Sequence, residues 1–230
     1  MSTKKAPVCV SKGCTDVQAV VYPTKGRFTY GVEGTEGGRY FTRYLHVPSA
    51  SSGLTLGRGY DMKEKSAGTI KRDLTAVGVP DAQATVLSAA ARLSGAHARK
   101  FITDHKLEEF SITPDQQRKL FESTYGEKVG TIKRILTKAD VAKAYGKSDY
   151  EKLNPAIQEM LVDLCYRGDY TGKSRHSLQP AVVKNDLKAF RAAVAALPGV
   201  PPDRMQQRLK YLDDAVKKLP VTVPSAMAKR

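Results

Sequence analysis

Cysteine, histidine and long apolar runs are all scarce in this sequence, and each shortage closes off a class of function. There are three cysteines in 230 residues. Cys9 and Cys14 lie in a loose N-terminal segment and can at most close a small loop. Two thiols with no histidine nearby do not supply the four or so ligands that a zinc site needs. The four histidines, His46, His97, His105 and His176, are too dispersed to propose a metal centre or a Ser-His-Asp arrangement. No stretch of about 18 apolar residues is present, so nothing is expected to span a bilayer. The first residues carry Lys4 and Lys5, but polar positions from Ser11 to Asp16 interrupt any signal-like apolar core. Export by the general secretory route is therefore not expected.

Basic charge is what the chain has in excess. The formal net charge is +15 and the pI is near 9.7, a field that attracts polyanions. The cations are scattered, without a Lys/Arg tract or a basic region interleaved with aromatics. Specific nucleic-acid recognition is therefore disfavoured, and anionic cell-envelope polymers suit the charge equally well. With 41% hydrophobic residues, the chain can bury a core as a soluble globular protein.

Residues 1–26 read as an extension with one short β-like run at Val17–Tyr22. Glycine then becomes frequent between Phe28 and Asp61, and Leu54–Tyr60 alternates as a strand does. After Asp61 the character becomes helical. Asp81 is placed to cap a helix. Thr113, Pro114 and Gln116 form a capping box with proline at the first helical position. Asn154 and Pro155 open another helix, whose Ile157, Met160, Leu161, Leu164 and Cys165 recur at the spacing of a buried stripe. Leu187–Leu197 and Met205–Leu219 give two more, separated by Pro198, Gly199, Pro201 and Pro202. The expected fold class is α+β: a small sheet region over about 27–65, then a bundle of about six helices over about 66–220.

Chemistry concentrates in Glu33-Gly34 and in Gly53-Leu-Thr55-Leu-Gly-Arg58-Gly-Tyr60-Asp61. Glycosidic hydrolysis needs a proton donor on one side of the sugar and a carboxylate on the other. Glu33 and Asp61 can fill those roles if the sheet folds back on the first helix, with Thr55 sharing a water with Asp61. Gly57 and Gly59 allow backbone to approach a sugar closely. Each residue also has a plainer reading. Glu33 can be a solvated helix-end carboxylate, Glu36 can be the acid in its place, Asp61 can cap the following helix, and Thr55 can be a strand former.

The Glu-Gly pair followed by Gly-x-Thr-Leu-Gly-x-Gly resembles the signature of phage-type lysozymes. An aspartate just after that motif is similar to the pesticin-like branch, which carries a Glu…Thr…Asp triad in this order. Ile112–Gln117 and Leu153–Gly168 look like the family's helix start and central helix, so the likeness covers roughly Phe28 to Leu219. Tyr60 stands where the phage enzymes carry histidine, and the loop between Glu33 and Thr55 is longer than theirs.

The resemblance implies a lysozyme-like domain over 27–230 that cleaves the β-1,4 bond between N-acetylmuramic acid and N-acetylglucosamine. Glu33, Thr55 and Asp61 would be catalytic, with Arg58, Tyr60 and His46 contacting substrate. It implies no metal or organic cofactor, peptidoglycan as partner, and a monomer. The protein would act in the periplasm or on the wall after release as a phage lysin or delivery as a toxin or effector, the latter with an immunity protein as a candidate partner. A non-catalytic wall-binding module and a glucosaminidase- or chitinase-type hydrolase are the alternatives.

Overall fold

The computed structural model describes residues 20–36 and 41–220. The Cys9/Cys14 pair and the first three residues of the Val17–Tyr22 run lie outside them. Ten α-helices and one hairpin follow in order: α1 (Arg27–Val32), β1 (Thr55–Leu56), β2 (Tyr60–Asp61), α2 (Ala67–Ala76), α3 (Asp81–Ser88), α4 (Gly95–Asp104), α5 (Pro114–Thr137), α6 (Ala139–Tyr145), α7 (Pro155–Arg167), α8 (Gly172–Val183), α9 (Leu187–Ala195) and α10 (Pro202–Val216). The class is mostly helical α+β with a small antiparallel sheet. Nine helices follow the hairpin among the described residues, where about six were expected, because short segments such as α2, α3 and α4 are separate helices. None is long and apolar enough to cross a membrane.

The chain forms two compact units, divided at Gly126/Glu127 inside α5. The hairpin belongs to the core of the first unit. Leu54, Leu56, Tyr60 and Met62 of the hairpin are buried in one cluster with Ile70 and Leu74 of α2, Leu87 of α3, Phe101 of α4 and Leu120 of α5. A two-residue strand pair has too little area to form a lobe of its own, so it shares this core.

Local signals set the helix ends. Ser66 caps α2 by accepting from the Thr69 amide at 3.1 Å. Thr113 and Gln116 make the reciprocal capping box of α5, with Gln116 N–H donating to Thr113 Oγ1 at 3.2 Å and Thr113 N–H to Gln116 Oε1 at 2.9 Å. Asn154 caps α7, with Pro155 at its first position. Asp81 does not cap α3. Pro80 holds that position, and Asp81, one residue inside, pairs with Lys71 at 3.1 Å.

In the second unit, α9 packs on α8 and α10, and α7 on α9 and α10. Ile157, Met160, Leu161 and Leu164 are fully buried there. Cys165, expected at the end of that stripe, is half-buried, and burial pushes its thiol pKa up.

Candidate active site

The hairpin register decides which side chains meet. β1 and β2 pair antiparallel, with Thr55 opposite Asp61 and Leu56 opposite Tyr60. Residue 46 adds a third rung beside Thr55, where His46 N–H donates to Thr55 O at 3.0 Å and Thr55 N–H to His46 O at 2.8 Å. Thr55 thus spends both backbone groups on His46. Its pairing with Asp61 is then the non-hydrogen-bonded kind, in which Cα atoms stand about 4.5 Å apart and side chains approach most closely. The Met62 N–H to Leu54 O bond at 3.0 Å belongs to the flanking hydrogen-bonded rung. Directly paired residues share a face of the sheet. His46, Thr55 and Asp61 therefore stand in a row on one face, while Leu54, Leu56, Tyr60 and Met62 enter the core from the other.

Asp61 does not cap the following helix. Its Oδ1 accepts from the Lys63 amide at 2.8 Å and its Oδ2 from the Gly53 amide at 3.2 Å. Two backbone donors fix the carboxylate beside Thr55, whose hydroxyl donates to Gly53 O at 3.2 Å. Gly53 is required by close approach, since a Cβ there would lie 2.2 Å from Asp61 Oδ1. The imidazole of His46 meets Tyr44 O through Nδ1 at 2.9 Å. With Nδ1–H donating to that carbonyl, Nε2 is the acceptor left on the neutral ring.

Glu33 is the C-terminal cap of α1 and is half-buried, its amide donating to Thr29 O at 3.0 Å. Gly34 follows where no side chain fits: a Cβ would sit 2.7 Å from Thr42 Cγ2 and 2.9 Å from Arg58 Cγ. The rival carboxylate, Glu36, is held from several sides. Its Oε1 accepts from Arg58 Nη2 at 2.9 Å and Gln117 Nε2 at 2.6 Å, and its Oε2 lies 3.3 Å from Arg43 Nε. Those bonds make Glu36 the counter-ion of two arginines.

Arg58 and Tyr60, expected to touch substrate, are turned inward. Arg58 is 4% exposed and donates to Tyr30 O, to Gly34 O at 2.8 Å and to Glu36. Its guanidinium also lies over the Tyr30 ring, 4.1 Å from the centroid. Tyr60 is 1% exposed, with its hydroxyl donating to Asp73 Oδ2 at 2.9 Å. Strand alternation is the cause, because Tyr60 neighbours Asp61 and must face the opposite way. Gly57 and Gly59, read as room for a sugar, have φ of 60° and 87° and serve the turn that carries Arg58.

Two residues of this area are not marked as site residues by the sequence. Gln117 links the area, accepting from Thr42 Oγ1 at 2.9 Å and donating to Glu36 and to the Tyr30 hydroxyl at 3.3 Å. Tyr30 is fully buried, and burial pushes its phenol pKa up against the opposing pull of Arg58. Gln117 gave no signal because Glu36 lies 81 residues away in sequence. Among the described residues no cluster of His, Cys, Asp and Glu is arranged to hold a metal ion.

The family model for a domain of unknown function, DUF8812, matches residues 26–209, and the chain belongs to that family. No curated protein matches the chain.

Proposed function

We propose that this member of the DUF8812 family is a lysozyme-like glycoside hydrolase that cleaves the β-1,4 bond between N-acetylmuramic acid and N-acetylglucosamine in bacterial peptidoglycan. The observation that carries the reading is the close-approach rung of Thr55 and Asp61, with the carboxylate pinned by the Gly53 and Lys63 amides. A hydroxyl and a fixed carboxylate side by side can orient one water. The Glu-Gly pair at the end of α1 and the Gly-rich hairpin that follows give the order of residues seen in pesticin-like muramidases.

In this mechanism Glu33 carries the proton and donates it to the leaving glycosidic oxygen. Asp61 stays ionised and, with Thr55, directs water to the anomeric carbon from the opposite face. The bond to the leaving oxygen breaks as the water oxygen bonds to carbon, and the water proton passes to Asp61. The product is inverted if the carboxyl groups stand about 6.5–9.5 Å apart, and retained if they stand about 5 Å apart. His46 is the substrate contact on this face, accepting through Nε2. Arg58 and Tyr60 touch no sugar. The +15 charge favours an anionic wall polymer as partner. The site of action is the wall, reached after release as a lysin or delivery as an antibacterial effector.

Muropeptide mass analysis after digestion of purified peptidoglycan tests this. Wild type is expected to release fragments with a reducing muramic-acid end, and Glu33→Gln to lose nearly all release with its circular dichroism unchanged. Wild-type binding without release would select a wall-binding module, and reducing glucosamine ends would select a glucosaminidase. A fully active Glu33→Gln would remove Glu33 from the chemistry.

A further inference from the structure

The geometry points to Arg58 as the residue that positions the Glu33 carboxyl for catalysis, an assignment that rests on the glycosidase reading above. Arg58 sits in the turn between β1 and β2, with Thr55 and Asp61 three residues to either side. Its Nη1 donates to two carbonyls, Tyr30 O and Gly34 O. These lie three residues before Glu33 and one residue after it. Tyr30 O is one of the terminal carbonyls that a helix leaves without an intrahelical donor. A single guanidinium holding both carbonyls fixes the path on which the chain leaves α1, and hence the Cα–Cβ direction of Glu33.

The arginine is itself held in place. Nη2 meets Glu36 at 2.9 Å, Gln117 holds the same carboxylate oxygen at 2.6 Å, and the guanidinium lies over Tyr30. At 4% exposure Arg58 touches no polymeric sugar, so it acts through Glu33. Gly34 belongs to the same contact, since a Cβ there would come within 2.9 Å of Arg58 Cγ. The Glu-Gly pair and the Gly-Arg-Gly turn are thus two halves of one joint. It ties the proton donor to the strands that carry Thr55 and Asp61.

Arg58→Lys tests the assignment, because an ammonium keeps the charge but lacks the planar fork. A misplacement of about 1 Å costs on the order of 10²-fold in rate. The variant is therefore expected to lose about 10²-fold in kcat on soluble glycan strands, with KM changed by less than about 3-fold. The Glu33 carboxyl, followed by 13C NMR, is expected to titrate at a different pH from wild type. A wild-type kcat, or a raised KM with kcat intact, would overturn the assignment. If wild type releases no muropeptide, the glycosidase reading fails; the Glu33 titration then decides the joint separately, an unchanged curve in Arg58→Lys refuting it.

Should Arg58→Lys not fold, Glu36→Gln leaves the arginine but removes its counter-charge. About 10-fold loss in kcat with KM held supports the assignment. Unchanged kcat overturns it, and so does near-total loss alongside an active Glu33→Gln, which would make Glu36 the acid.

Discussion

Gly53→Ala offers a measurement of how tightly the Asp61 carboxylate is held. The added methyl would stand 2.2 Å from Asp61 Oδ1, 2.6 Å from Lys63 Cβ and 2.8 Å from the Lys63 amide nitrogen. Unstrained contacts to carbon need about 3.5 Å, so the carboxylate must retreat by about 1 Å. That movement breaks or lengthens its bonds from the Gly53 and Lys63 amides. Hydrogen bonds to a charged group contribute about 1.5–3 kcal/mol each. Asp61 is only half-buried and water recovers part of this, so the net loss is about 2 kcal/mol. For a chain of this size that lowers the melting temperature by about 4–8 °C. On the glycosidase reading, the displaced carboxylate also costs on the order of 10²-fold in muropeptide release. Calorimetry and a release assay on the same samples read both quantities. Gly130→Ala is the control: it lies inside α5 with nothing within 4 Å of the added methyl, and it should gain about 1 kcal/mol. A Gly53→Ala protein that melts and cuts like wild type would show that Asp61 is not held as described.

Two further outcomes follow from the second unit. Asp163→Ala takes from the fully buried Arg208 one of its two carboxylates at 2.7 Å, leaving Asp169, and from Arg204 its contact at 2.6 Å. Removing one partner of a buried pair costs about 3–5 kcal/mol, and the retained Asp169 puts this loss at the lower end, about 3 kcal/mol, read as a lower urea midpoint; a loss below about 1 kcal/mol would contradict the burial. Burial raises the Cys165 thiol pKa, with Lys128 opposing weakly, so less thiolate exists at pH 8 than for a free cysteine. Site-resolved mass spectrometry should find Cys165 alkylated slowly at that pH until denaturant is added, and rapid labelling of the folded protein would refute this.

Features that act over three or four residues could be read directly. The Thr113–Gln116 capping box, the Asn154–Pro155 helix start and the buried stripe from Ile157 to Leu164 are all local. A helix end or an inward face depends on neighbours one turn away. The strand character of Leu54–Tyr60 was legible too, although the strands there are the short Thr55–Leu56 and Tyr60–Asp61. Charged residues show least of their surroundings locally. Nothing near Arg208 or Asp163 in the sequence marks either as buried, yet both are fully buried against each other, 45 residues apart in the chain. Arg58 looked like a sugar contact because it sits among glycines between Thr55 and Asp61. Its donors instead reach back 24 and 28 residues to Gly34 and Tyr30.

The sequence alone determined the α+β class, the main helix starts and the set of residues from which a site can be built, because periodicity and capping are written within a few positions. Tertiary structure decided which of them face each other. It set Thr55, Asp61 and His46 on one face through strand register, sent Tyr60 to the other, and paired Arg58 with Glu36. Such choices depend on groups that meet only when distant segments fold together, where a buried charge must find a partner and a paired strand has one register that buries its apolar face.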